Sequence, residues 1–137
     1  MRETSLTVPN RVELVRPVAT FLVAVARALG VPAAQEPVFE VAVSEAVTNA
    51  VRHGGVPQGS AAIFCTLAID DRSLRLQILN EGGSVELPDG ALPDLSRERI
   101  DALPASGYGV PIIRRVFDRA TPVSAEGRNG VELTLEF

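Results

Sequence analysis

After Gly54-Gly55 the apolar residues of this chain change period, and that change constrains the fold more than any other feature. Upstream, Val12, Val15, Val18, Phe21, Leu22, Val25, Ala26 and Leu29 recur at helical spacing. So do Phe39, Ala42, Val43, Ala46, Val47 and Ala50. Downstream, "SAAIFCTLAID" and "SLRLQILN" are β-like runs. In the second run Leu74, Leu76 and Ile78 face one way while Arg75 and Gln77 face the other, as in a sheet with one wet face. Two amphipathic helices followed by such a hairpin suggest helices packed on one face of a largely antiparallel sheet.

The remaining elements fit that plan. A short strand is expected over 4–8, ended by Pro9 and Asn10. One helix is predicted from Arg11 to Leu29 and a second from Glu36 or Pro37 to His53, each stopped by glycine. Strands over 61–69 and 73–80 join at Asp70-Asp71-Arg72. Residues 82–107 form a polar segment with three prolines, and a connection this long inside a domain is usually functional or disordered. Val110 to Asp118 reads as a helix with Pro111 near its first turn. "TPVSAE" and "GVELTLEF" read as strands joined at Gly127-Arg128-Asn129-Gly130. The expectation is a single domain over 1–137, an α+β two-layer sandwich.

Composition removes several chemistries. All 13 basic residues are arginine, so a Walker-A lysine, the strand lysine of eukaryotic-type kinases and Schiff-base catalysis are excluded. Any phosphate chemistry must rest on backbone amides, a metal and arginines. The lone histidine, His53, rules out a His-rich metal site and would have to serve any Ser-His-Asp triad. A net charge of −4 with no basic tract argues against direct nucleic-acid binding. No apolar run is long enough to span a membrane, and "MRETSLTVPN" lacks the apolar core of a secretory signal. The cytoplasm is the expected compartment. Cys65 sits in an apolar run and reads as a core residue.

Three stretches can carry chemistry. In "VSEAVTNAVRHGG", Glu45, Asn49 and His53 recur every fourth position, about 40° apart around a helix, and share a face with Arg52. Such a row is either the wet side of an amphipathic helix or a proton acceptor beside an oxygen ligand for Mg²⁺. In "ILNEGGSV" a strand ends at Asn80 beside Gly82 and Gly83, either a plain turn or a place where a flat ligand meets the backbone. In "ASGYGVPIIRR", glycines precede a helix, either an entry turn or free amides at the positive end of a helix dipole.

Taken in order, these stretches resemble the GHKL (Bergerat-fold) ATPase superfamily, and within it the RsbW-type bacterial anti-sigma factors that are also serine protein kinases. "VAVSEAVTNAVRHG" is similar to that family's N-box, "LNEGGSVE" to its G1 region, "GYGVPIIRRVFD" to its G2 segment and "NGVELTLEF" to its closing strand. The resemblance implies that Glu45 is the general base for a substrate serine and that Asn49 is a ligand to the Mg²⁺ of ATP. It places Asn80, Gly82, Gly107, Tyr108, Gly109 and Val110 around the nucleotide, with an ATP lid over about 82–106. It also implies a homodimer that sequesters an RNA polymerase sigma factor and phosphorylates a STAS-domain antagonist. Arg16 falls near a partner-contacting arginine. His53 is expected to be structural.

Two residues depart from the pattern. Asn80 stands where the family usually has an aspartate that accepts from the adenine amino group, and Ser106 replaces the first G2 glycine. Losing a charge-assisted bond costs about 1–2 kcal/mol. Two alternatives therefore stand beside the anti-sigma kinase: a binding module of the same fold without useful turnover, and a kinase acting on another regulator.

Overall fold

Pro17 decides where the first helix begins. The computed structural model describes residues 1–53, 61–81 and 109–137. In it the expected helix from Arg11 divides into a 3-10 turn over Val12–Leu14 and helix α1 over Val15–Ala28. Proline is tolerated in the first turn of α1, but its ring would collide with the carbonyl four residues back in a continuous helix. The other end of α1 closes as the sequence implies. Gly30 N–H donates to Arg27 O at 3.1 Å and Val31 N–H to Ala26 O at 3.0 Å, the paired bonds of a Schellman stop.

Strand β1 (Arg2–Pro9) is longer than expected at both ends and precedes α1. A second 3-10 turn, Pro32–Gln35, leads into α2 over Pro37–His53. Strands β2 (Ala62–Ile69) and β3 (Ser73–Asn80) follow. Helix α3 spans Gly109–Val116, and β4 (Arg119–Ala125) and β5 (Arg128–Glu136) end the chain. Helix α3 stops short of the expected Asp118 because β5 captures that residue. Asp118 N–H donates to Thr134 O at 2.8 Å, and its Oδ2 accepts from Glu136 N–H at 2.6 Å.

The strands form one antiparallel sheet in the order β1-β2-β3-β5-β4. Leu74, Leu76 and Ile78 on β3 pair with Leu135, Leu133 and Val131 on β5, and all six are buried beneath the helices. Each aliphatic side chain so buried contributes roughly 1.5–3 kcal/mol. Arg75 and Gln77 face away, as the alternation predicts, and Gln77 Nε2–H donates to Glu132 Oε2 at 2.7 Å on that outer surface. Helix α2 touches both α1 and α3. Its buried face is accordingly wide and made mostly of small residues: Phe39, Ala42, Val43, Ala46, Val47, Ala50 and Val51. Phe39 meets Phe117 with ring centroids 5.7 Å apart, tying the start of α2 to the chain beyond α3. Cys65 is a core residue, and burial pushes its thiol up to about 12. Among the described residues no helix is long and apolar enough to cross a membrane. The α+β, mostly antiparallel architecture with helices on one face is the one expected.

One expectation needs correction. The β4–β5 connection is not Gly127 to Gly130 but a two-residue turn at Glu126 and Gly127, with φ of 55° and 78°. Positive φ at both central positions is the geometry whose twist matches the flanking strands. Arg128, Asn129 and Gly130 therefore belong to β5.

Candidate functional site

Chain direction brings the candidate residues to one end of the sheet. Helix α3 leaves its C-terminus at Asp118, hydrogen-bonded to Thr134, so its N-terminus points to the opposite end, where β3 finishes at Asn80. The β4–β5 turn lies at that same end, since Asn129 pairs with Asn80. Helix α2 starts beside Phe117 and runs the same way, carrying Glu45 and then Asn49 toward it.

Glu45 and Asn49 lie one turn apart on the half-buried flank of α2, beside the Ala46, Val47 and Ala50 face packed on the core. Thr48, on the same flank, turns inward on its own helix: its Oγ1–H donates to Ser44 O at 2.7 Å. Partial burial raises the proton affinity of the Glu45 carboxyl above its ordinary value, and the Arg52 guanidinium two turns on offsets part of that rise. A carboxylate made more basic without being sealed from solvent is suited to accept a proton.

Asn80 is the last residue of β3 and is only 2% exposed, a buried carboxamide at the end of an apolar strand. Gly109 opens α3, so its backbone and that of Val110 lie at the positive end of the helix dipole. Gly82, Gly107, Tyr108 and Ser106, together with the expected lid over 82–106, lie outside the described residues, as does the side chain of His53. Arg16 is exposed on α1.

The donor set fits Mg²⁺ bound through nucleotide phosphates. Among the described residues no three His, Cys, Asp or Glu side chains converge into a cage. Mg²⁺ normally takes one or two protein oxygens plus phosphates and waters, which the half-buried Asn49 carboxamide can satisfy. A nucleotide so held would supply the transferable phosphoryl group.

Sequence reasoning missed Ser124 and Asn129. Ser124 Oγ–H donates to Asn129 Oδ1 at 2.5 Å, and register sets Asn129 directly opposite Asn80. The sequence placed Asn129 in a turn; the two-residue turn observed at Glu126-Gly127 puts it in β5 instead.

Known proteins resemble this chain at three levels. An anti-sigma F factor from Clostridium acetobutylicum is 35% identical over 89 residues, a stretch covering 65% of this chain and 61% of that relative. The chain therefore spans about three-fifths of that relative's length. The crystal structure of the RsbU and RsbW domains of a Mycobacterium tuberculosis protein matches with a TM-score of 0.66 at 18% identity, covering 98% of this chain and 32% of that one. At that identity the likeness speaks for the fold. Family comparison matches residues 8–137 to the histidine kinase-like ATPase domain, so the chain belongs to that family.

Proposed function

We propose that this protein is an anti-sigma factor with serine kinase activity: it binds an RNA polymerase sigma factor and, using Mg-ATP, phosphorylates a serine of a STAS-domain antagonist. The observation that supports the reading is the Glu45–Asn49 pair, a half-buried carboxylate of raised basicity one turn from a carboxamide oxygen, on the helix that follows the buried Phe39–Phe117 contact. The name of the Clostridium acetobutylicum relative supports the sigma-factor part. In this reading Glu45 takes the proton of the attacking serine hydroxyl, Asn49 orients the metal, and the amides at Gly109 and Val110, with Gly107, receive phosphate oxygens. Tyr108 and Gly82 line the nucleotide. Positioning and electrostatics do most of the work in such a transfer, so a chain without lysine is chemically adequate. Arg16, exposed on α1, contacts the partner, and the protein acts in the cytoplasm as a homodimer.

Incubation with Mg-ATP and a candidate antagonist, followed by detection of phosphoserine, tests the reading. Labelling by the wild type and none by Glu45→Ala is expected. Undetectable ATP binding at millimolar concentration, with sigma-factor binding intact, would instead support a binding module of the same fold. Asn80 in place of the family's aspartate is the specific observation that favours this second reading.

A further inference from the structure

The two edges of the sheet are unlike. β4 forms one edge and carries Pro122 in mid-strand, where the backbone has no N–H to offer a further strand. β1 forms the other edge and runs in unbroken register with β2 from Arg2 to Pro9, with no bulge and no lysine. Asn10 N–H donates to Ala61 O at 2.8 Å, one position beyond the pairing of Pro9 with Ala62, and this sets the alternation of the ladder. Thr4, Leu6 and Val8 bond to β2, while Glu3, Ser5 and Thr7 turn their N–H and C=O groups outward. Pro9, which has no N–H to give β2, falls in the outward set, as it must. Among the described residues no strand pairs with that outer side.

Those outward groups are self-complementary. When two copies of β1 lie antiparallel about a two-fold axis at Ser5, Ser5 meets Ser5 of the second copy and Glu3 meets its Thr7. Each such pair exchanges both hydrogen bonds, so every outward N–H of Glu3, Ser5 and Thr7 finds an outward C=O. Moving the axis to Leu6 brings Pro9 into the ladder, and moving it to Thr4 leaves Thr7 beyond the end of the opposing strand. About Ser5 no like charges fall opposite each other, and on the helix side the half-buried Leu6 meets Thr4 of the second copy. We propose that the β1 edge is where a second copy of this chain docks, joining two five-stranded sheets into one continuous sheet about Ser5. The inference gives the homodimer proposed above its surface and rests on that part of the reading. Pairing of this kind uses up the edge on which it depends, and the joined sheet ends in β4 and Pro122 on both sides. Assembly therefore closes at the dimer rather than running on as a filament.

Light scattering on the full chain over a concentration series gives the mass, and substitutions on β1 test the surface. A concentration-dependent dimer is expected, with nothing larger. Ser5→Pro removes an N–H that β2 does not use, so the monomer should still fold, and the dimer dissociation constant should rise at least about ten-fold. Ser5→Cys keeps the backbone donor and sets the two new thiols on directly opposed residues, about 5.5 Å apart at Cα and within reach of a disulfide. It should cross-link the dimer under mild oxidation. Thr7→Cys should not, because each copy of that residue faces Glu3 rather than its own counterpart. Cys65 is buried and does not compete. A dimer indifferent to Ser5→Pro, or one that cross-links no better through Ser5→Cys than through Thr7→Cys, would overturn the β1 edge while leaving the homodimer standing. A monomer throughout a series reaching millimolar protein would overturn both. If circular dichroism shows that Ser5→Pro does not fold, the two cysteine variants decide alone.

Discussion

The Arg128 guanidinium lies 3.6 Å from the centroid of the Phe64 ring, reaching from β5 over β3 to a ring on β2. Arginine therefore caps an aromatic group on the sheet face that the helices leave uncovered. Phe64 pairs with Leu79, and Leu79 with Gly130, so the planar cation closes over an apolar row of that face.

Removing the cap should be measurable. Arg128→Ala is expected to lower stability by about 0.5–1 kcal/mol, the usual size of a partly exposed cation–π contact. Arg128→Lys should retain part of it. Urea titration of the three proteins checks this, and equal midpoints would show that the stack contributes nothing.

Gly130 permits no side chain. A Cβ built there would lie 1.9 Å from Ile78 O and 2.8 Å from Leu79 Cα, both backbone atoms of β3. Gly130→Ala must push β5 away from β3, and a loss of more than about 2 kcal/mol is expected. Thermal unfolding would show it, and hydrogen exchange should place the loosening at the Ile78, Leu79 and Val131 amides.

Glu45 should work against stability near neutral pH. Its proton affinity in the folded protein is raised, chiefly by desolvation, with Arg52 opposing the rise. The protonated carboxyl favours the fold; that contribution is fully present below the unfolded value near 4.5 and is lost as pH rises through the raised value. Glu45→Gln is therefore expected to be more stable than the wild type at pH 7 while losing phosphotransfer. Arg52→Gln should move the acidic limb of the activity profile to higher pH. An unmoved limb would mean that Arg52 does not set the basicity of Glu45.

The single cysteine offers a clean report on opening. Cys65 is 1% exposed and its thiol is pushed up to about 12, so the folded protein holds almost no thiolate there. Reaction with a disulfide reagent should be slow and should quicken in step with denaturant. Rapid labelling in native buffer would mean that β2 opens locally without global unfolding.

Where the signal is local, the sequence was readable. Val43, Val47 and Ala50 declare the buried side of α2 through spacing alone, and Glu45 and Asn49 are legible on its flank for the same reason. The long helix from Arg11 was over-extended because apolar period says nothing about a proline ring meeting the carbonyl four residues back. The Asn80–Asn129–Ser124 row was illegible for a deeper reason. It exists only through the pairing of three strands, and register is a long-range property of the β4–β5 turn rather than of any one residue's neighbours.

That turn also governs how this hairpin can change length. Two residues join β4 to β5, and each side chain beyond them alternates between the helix side and the open side of the sheet. Inserting a single residue into either strand would send Ser124 or Asn129 to the wrong face, whereas inserting two would restore parity at the cost of a longer ribbon. Viable length variants of this hairpin should therefore come in even steps, with odd ones surviving only where a bulge absorbs the extra residue.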